Sequence, residues 1–331
     1  MTNERKPIEF AGVFASHIRE YVEWKHSLGY KFTIEAYMLR QFDTYCVNTK
    51  VETVALTSEL MDNWLATKPN DKPSTRGSRL STLKGFRDYL LGQGICVLWN
   101  PLPGHTGGRK TNKYVPYIFT HEEILRIFKA ADNLSHTRWT AFDSMFPVIL
   151  RILYGCGLRV SEAVSLRINN LDFGEKSLTV LASKFEKNRR IPMSQSLQKI
   201  LERYLKSGIC SIDTDGFLFP NQTDFHYSKR TVYDTFRKVL HTSGIPYQGK
   251  GKGPRLHDLR HTFAVHSLQN HIAAGYDSYT ILPILASYLG HTDVSTTERY
   301  LRLTAEFYPD LLAKSDVIVK NIIPGVNTYE E

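Results

Sequence analysis

Apolar residues recur at helical spacing along most of this chain. Phe14, Ile18, Tyr21 and Val22 share one face of a segment spanning residues 10–30, which Gly29 stops. "TIEAYMLRQFDTYC" repeats the pattern, and "TSELMDNWLAT" adds a third helix with Thr57 or Ser58 as its cap and Leu60, Trp64 and Leu65 on one side. "STRGSRLSTLKGFRDYLLGQG" predicts a fourth, apolar at Leu80, Leu83, Phe86, Leu90 and Leu91 and ended by Gly92 or Gly94. Residues 1–105 are thus expected to form a small all-helical domain. "NPLPGHTGGRKTNKYVPY" then breaks the periodicity with Pro, Gly and basic residues, so residues 106–117 read as a basic linker.

A second domain follows over residues 118–303. Thr120 and Glu123 have capping-box spacing ahead of Ile124, Ile127 and Phe128. "AFDSMFPVILRILYGCG" is apolar enough for a buried helix. "SLTVLAS" and "NRRIPM" alternate and are β-branched, which predicts a short hairpin with residues 183–188 at its tip. Helices are expected near 194–206, 228–242, 257–270, 278–290 and 294–301. The expectation is a mainly α protein, the second domain carrying one small sheet. Residues 304–331 form a tail with an apolar amphipathic stretch, "EFYPDLLAKSDVIVKNII".

Composition narrows the function. With 331 residues and 42% apolar content, two domains with real cores are expected. No apolar run approaches the roughly 20 residues of a membrane span, and "MTNERKPIEF" lacks a signal-peptide core. Cys46, Cys96, Cys156 and Cys210 are scattered without a CxxC, which reads as reduced thiols in a cytoplasmic setting. The net charge is +9, unevenly spread: residues 106–304 carry 27 Lys and Arg against 17 Asp and Glu. A surplus of that size suggests a polyanionic partner.

The candidate chemistry lies in that basic segment. "LHDLRHTFAVH" places His257 and His261 four apart, a zinc-pair spacing, and His257 and Arg260 three apart, suited to an anion. A zinc site wants at least three ligands, whereas Asp258 points about a hundred degrees away on a helix and Arg260 repels a cation. The flanking Lys250, Lys252 and Arg255 favour the anion. "GCGLRVSEAVSL" sets Arg159 at a helix start with Glu162 three residues on, and "SKFEKNRR" presents Lys184, Lys187, Arg189 and Arg190 as a basic finger. "YLGHTDVSTTERYLRL" places His291 after a glycine and Tyr300 nine residues later. Each has an ordinary structural reading when taken singly.

As an ordered set they are more specific. Arg in "GLRVSE", Lys in a β-hairpin, "HDLRH", "LGH" and a following Tyr resemble the tyrosine recombinase (phage-integrase) family over residues 118–303. The N-terminal helices and basic linker resemble that family's core-binding, SAM-like domain. The resemblance implies that Arg159 and Arg260 hold a scissile phosphate, as bidentate guanidinium can, and that Tyr300 attacks phosphorus to form a 3′-phosphotyrosyl link. It implies His257 assisting Tyr300 in proton transfer, His291 hydrogen-bonding the phosphate, and Lys184 as general acid on the leaving 5′-oxygen. Glu162 and His261 support them. No metal or cofactor is implied.

Double-stranded DNA is the implied partner, with a homo-tetramer on two DNA sites and accessory recombination proteins. A bacterial, nucleoid-associated location follows. DNA contacts are expected from Arg76, Arg79, Lys84 and Arg87 on the fourth helix, from Arg109 and Lys110 in the linker, and from Lys187, Arg189, Arg190, Lys250, Lys252 and Arg255. The insertion "AAGYDSYTILP" and the Leu301–Arg302 pair after Tyr300 look more like integrases carried by transposons, and the family resemblance implies that the tail docks on a neighbouring protomer. Two alternatives stand beside a mobile-element recombinase: a DNA-binding module of the same fold that does not cut, and a type IB topoisomerase.

Overall fold

The computed structural model describes residues 8–66, 73–100, 115–134, 141–181, 188–209, 214–223, 225–246, 248, 253–291 and 295–307. The chain divides into two compact units, Met1–Tyr114 and Val115–Glu331.

In the first unit, helices α1 (Ala15–Ser27), α2 (Thr33–Asn48), α3 (Ser58–Leu65) and α4 (Pro73–Gly92) enclose one aromatic-rich core. Phe14, Ile18 and Tyr21 from the first segment meet Leu39 and Phe42 of α2, Trp64 of α3, and Leu83, Phe86 and Leu90 of α4. The Phe42 and Trp64 rings sit edge to face at 5.5 Å. Of the two candidate caps on α3, Thr57 does the work, its hydroxyl accepting the Leu60 N–H at 3.2 Å. Arg79 corrects an expectation. Its residue type places it facing DNA, but it is 4% exposed, with its guanidinium over the Trp64 ring. Helical spacing puts residue 79 on the same face as Leu83, Phe86 and Leu90, so its alkyl stem joins the core. Arg76, Lys84 and Arg87 remain partly open.

The second unit opens with α5 (His121–Asp132), whose capping box forms as its sequence predicts: Thr120 and Glu123 exchange hydrogen bonds at 2.9 and 3.1 Å. The apolar α6 (Phe142–Gly155) and the short α7 (Val160–Val164) follow. Strands β1 (Leu171–Asp172), β2 (Ser177–Val180) and β3 (Arg189–Pro192) make an antiparallel sheet in the order β1-β2-β3, with Leu178 opposite Ile191 and Val180 opposite Arg189. The sheet thus has one strand more than the predicted hairpin. Its tip, residues 182–187, lies outside the described residues. Helices α8 (Gln195–Lys206), α9 (Lys229–Thr242), α10 (Asp258–Ala273), α11 (Ser278–Leu289) and α12 (Ser295–Phe307) complete the unit.

Two apolar clusters hold this unit. The larger joins α5, α6, the sheet, α8 and α9. The smaller gathers Ile118, just ahead of α5, with Val265 and Leu268 of α10, Ile281, Leu285 and Leu289 of α11, and Tyr300 and Leu303 of α12. The expected boundary after residue 303 falls inside α12, where Leu303 and Thr304 are both buried. Two glycines set the geometry between the clusters. Gly157 has φ +57°, and a Cβ there would lie 2.5 Å from Phe263. Gly290, at φ +68°, ends α11 in the left-handed conformation.

Candidate active site

Arg159 and Glu162 meet because they flank the first turn of α7. The Arg159 N–H donates to Glu162 Oε2 at 2.8 Å, and its guanidinium donates to Oε1 at 2.9 Å. A second arginine reaches the same carboxylate from β3: Arg189 donates to both oxygens, at 3.0 and 2.8 Å. Burial would push the Glu162 carboxyl up, but the hydrogen bonds from Arg189 and Arg159 outweigh it and hold the pKa at about 2. The Arg159 side chain keeps an open edge, being 39% exposed.

Arg260 comes from the first turns of α10 and is almost wholly buried. One Nη donates to the Gly157 carbonyl at 2.9 Å and the other to the Leu289 carbonyl at 2.6 Å. The guanidinium therefore ties the turn before α7 to the end of α11. Desolvation and the nearby Arg159 lower its pKa to about 10, so it stays charged at neutral pH.

Tyr300, on α12, is 2% exposed, and its hydroxyl lies 3.0 Å from Nδ1 of His261. Burial raises its pKa, opposed chiefly by Arg260. Here the geometry differs from the expectation: the histidine on the hydroxyl is His261, while His257 stands edge-on to the His261 ring at 4.9 Å. Spacing held the signal. His261 shares a helical face with Ala264, Val265 and Leu268 and points inward, whereas His257 stands exposed at the N-cap of α10. Among the described residues, no group of three or more His, Cys, Asp or Glu side chains could hold a metal ion. His291, just past Gly290, places Nδ1 2.8 Å from the Thr297 hydroxyl, its ring nearly parallel to that of Tyr300.

Burial holds His261 at about 3 and His266 and His291 at about 4. His266 lies further along α10, with Nδ1 2.8 Å from the Tyr154 hydroxyl. Each folded-state pKa lies below the ordinary 6.5, so the unfolded chain binds these protons first. Their contribution to stability is complete above about pH 6.5 and is lost as pH falls toward 4. Denaturant midpoints should fall across that window, and His266→Gln should flatten the fall. A midpoint constant from pH 7 to 4.5 would contradict this placement of the histidines.

The predicted basic finger divides. Arg189 and Arg190 are strand residues, not tip residues. Arg189 points inward with Ile191, while Arg190 points outward to Ser177 and Asp172 at 2.7 Å each. The period-two alternation around buried Ile191 was the signal. Arg255 is half-buried before α10, its backbone N–H held by Asp258 at 2.8 Å. Lys184, Lys187, Arg109, Lys110, Lys250 and Lys252 lie outside the described residues.

The family model described as the phage integrase family matches residues 118–306. A putative integrase/recombinase of Sinorhizobium fredii, y4rB, is 28% identical over 309 residues, which cover 91% of this chain and 96% of that protein. The tyrosine recombinase XerC of Staphylococcus carnosus is 30% identical over 236 residues, covering 70% of this chain and 72% of the relative. Among solved structures, the Tn1549 transposon integrase in complex with a circular intermediate DNA superposes with a TM-score of 0.62 at 16% identity, covering 86% of this chain and 94% of that one. The chain belongs to the phage integrase family of tyrosine recombinases, enzymes that cleave and rejoin DNA strands at specific sites. No described helix is long and apolar enough to cross a membrane.

Proposed function

We propose that this recombinase cuts each strand with Tyr300 and serves the integration or excision of a mobile element. The observation that carries the chemistry is the Tyr300 hydroxyl set 3.0 Å from a histidine whose burial keeps it neutral, in the field of Arg260 and Arg159. The Tyr300 Oη–phosphorus bond forms as the phosphorus–O5′ bond breaks. The phenolic proton passes to His261, and His257, exposed beside it, passes it on to water. Lys184 protonates the departing 5′-oxygen. Arg159 and Arg260 hold the phosphate oxygens where charge builds, with Glu162 orienting Arg159 and His291 adding a hydrogen bond. The phosphotyrosine keeps the energy of the broken bond, so resealing needs no nucleotide, and no step needs a metal.

Arg76, Lys84 and Arg87 on α4, together with Arg109, Lys110, Lys187, Lys250, Lys252 and Arg255, would contact the DNA backbone. The "AAGYDSYTILP" insertion and the fold shared with a transposon integrase support the mobile-element role. We further assign it a tetramer on two DNA duplexes, joined by the C-terminal segment and open to accessory proteins, on the bacterial nucleoid in the cytoplasm.

Covalent trapping tests the chemistry. Nicked duplexes selected from a random library, incubated with the purified chain and EDTA, should yield a detergent-stable adduct. Adducts that vanish with EDTA would overturn the metal-free step. Binding without any adduct would favour the non-cutting module. Relaxation of supercoiled plasmid of any sequence would favour a topoisomerase.

A further inference from the structure

The Glu162 carboxylate stands against two guanidinium groups, only one of which faces outward. Arg159 has an open edge, whereas Arg189 is 14% exposed and holds both carboxylate oxygens. Arg189 also donates its Nε–H to the Tyr288 carbonyl at 3.0 Å, and it packs so closely on Gly290 that a Cβ there would lie 2.9 Å from Nη1. The Gly290 carbonyl is in turn an acceptor for Arg159, at 3.4 Å. The two arginines thus share two holdfasts, the Glu162 carboxylate and the turn at residues 288–290.

Charge bookkeeping shows what Arg189 adds. Arg159 with Glu162 alone is a neutral pair, and its guanidinium would spend its attraction on the carboxylate. With Arg189 inserted, the trio carries one net positive charge in a poorly screened environment. The bidentate grip also fixes the plane of the carboxylate, and so the direction in which Arg159 projects. We propose that Arg189 is a positioning residue for strand cleavage: from β3 it fixes Glu162 and shares its charge, which leaves Arg159 aimed at the scissile phosphate with its positive charge uncancelled. This rests on the reading that Arg159 holds that phosphate. It also reassigns a residue that the sequence alone had placed among the DNA contacts.

The test is single-turnover cleavage of a nicked duplex first obtained by covalent trapping with the wild-type chain. Arg189→Ala should slow cleavage about tenfold to a hundredfold with DNA affinity within about threefold, since the side chain is only 14% exposed and is engaged by Glu162 and the Tyr288 carbonyl. Arg189→Lys should recover little, because an ammonium group cannot grip both oxygens. The Arg189→Ala/Glu162→Gln double variant should be no slower than Glu162→Gln alone, the non-additivity of residues acting through one another. A scissile methylphosphonate carries no phosphate charge, so on it the Arg189→Ala penalty should shrink to about threefold or less.

Strictly additive penalties, or a penalty equal on both substrates, would overturn the proposal. So would a loss of affinity at unchanged rate, which would restore Arg189 as a DNA contact. If Arg189→Ala does not fold, Arg189→Lys and Glu162→Gln carry the same comparisons. Arg159→Ala is the control for the underlying reading: normal cleavage by that variant would remove the reading itself, whatever Arg189 does.

Discussion

Tyr300→Phe should form no covalent DNA adduct, while binding the same duplexes within about twofold of the wild-type affinity. The substitution removes only the oxygen proposed as the nucleophile, and no attack on phosphorus can replace it. The phenyl ring still fills its place among Leu268, Leu285 and Leu289, so the core does not collapse. What is lost structurally is the hydroxyl's hydrogen bond to His261, worth about 1 kcal/mol, together with its contact to Arg260, which should appear as a small drop in melting temperature. Adduct yields by denaturing gel, beside binding isotherms and a melting curve, separate these effects. A substantial residual adduct would place the nucleophile at another of the 18 tyrosines.

Arg260→Ala should be nearly as damaging to cleavage and far more damaging to stability. A fixed cation opposite the developing phosphate charge contributes a factor of about a hundred or more to the rate. The same guanidinium satisfies the carbonyls of Gly157 and Leu289, and each acceptor left unpaired in the interior costs about 1–3 kcal/mol. Arg260→Lys should fail to restore either property, since one ammonium group cannot span two carbonyls contributed by separate segments. The expected result is cleavage reduced at least about a hundredfold in both variants, with a lowered denaturant midpoint. A stable, active Arg260→Lys would mean that charge alone matters at this position.

Much of this architecture is legible in the chain, because it is local. Capping at Thr57 and Thr120, the helical stripes of α1 to α4 and the order of the motif residues all depend on neighbours a few positions apart. What was misread depends on side chains crossing between elements. Local spacing gives Glu162 one arginine because the other arrives from 27 residues away, and the resemblance pairs Tyr300 with His257, whereas its contact is with His261, 39 residues away on another helix. Arg79 and Arg189 were read outward on residue type alone. A cation whose periodic neighbours are apolar belongs to the inward face whatever its charge, and both positions obey that rule.

The burial of Tyr300 has a consequence during synthesis. The proposed nucleophile is a member of the apolar cluster that α12 completes with α10 and α11. Chains emerge at about 5–20 residues per second and fold from the N-terminal domain onward. A nascent chain that has emerged from the ribosome as far as Gly290 would already carry Arg159 and Arg260, yet it would have neither the tyrosine nor a closed second cluster. With Tyr300 as the nucleophile, such a chain should meet DNA but not break it. The ability to cut the genome arrives only with the segment that finishes the fold.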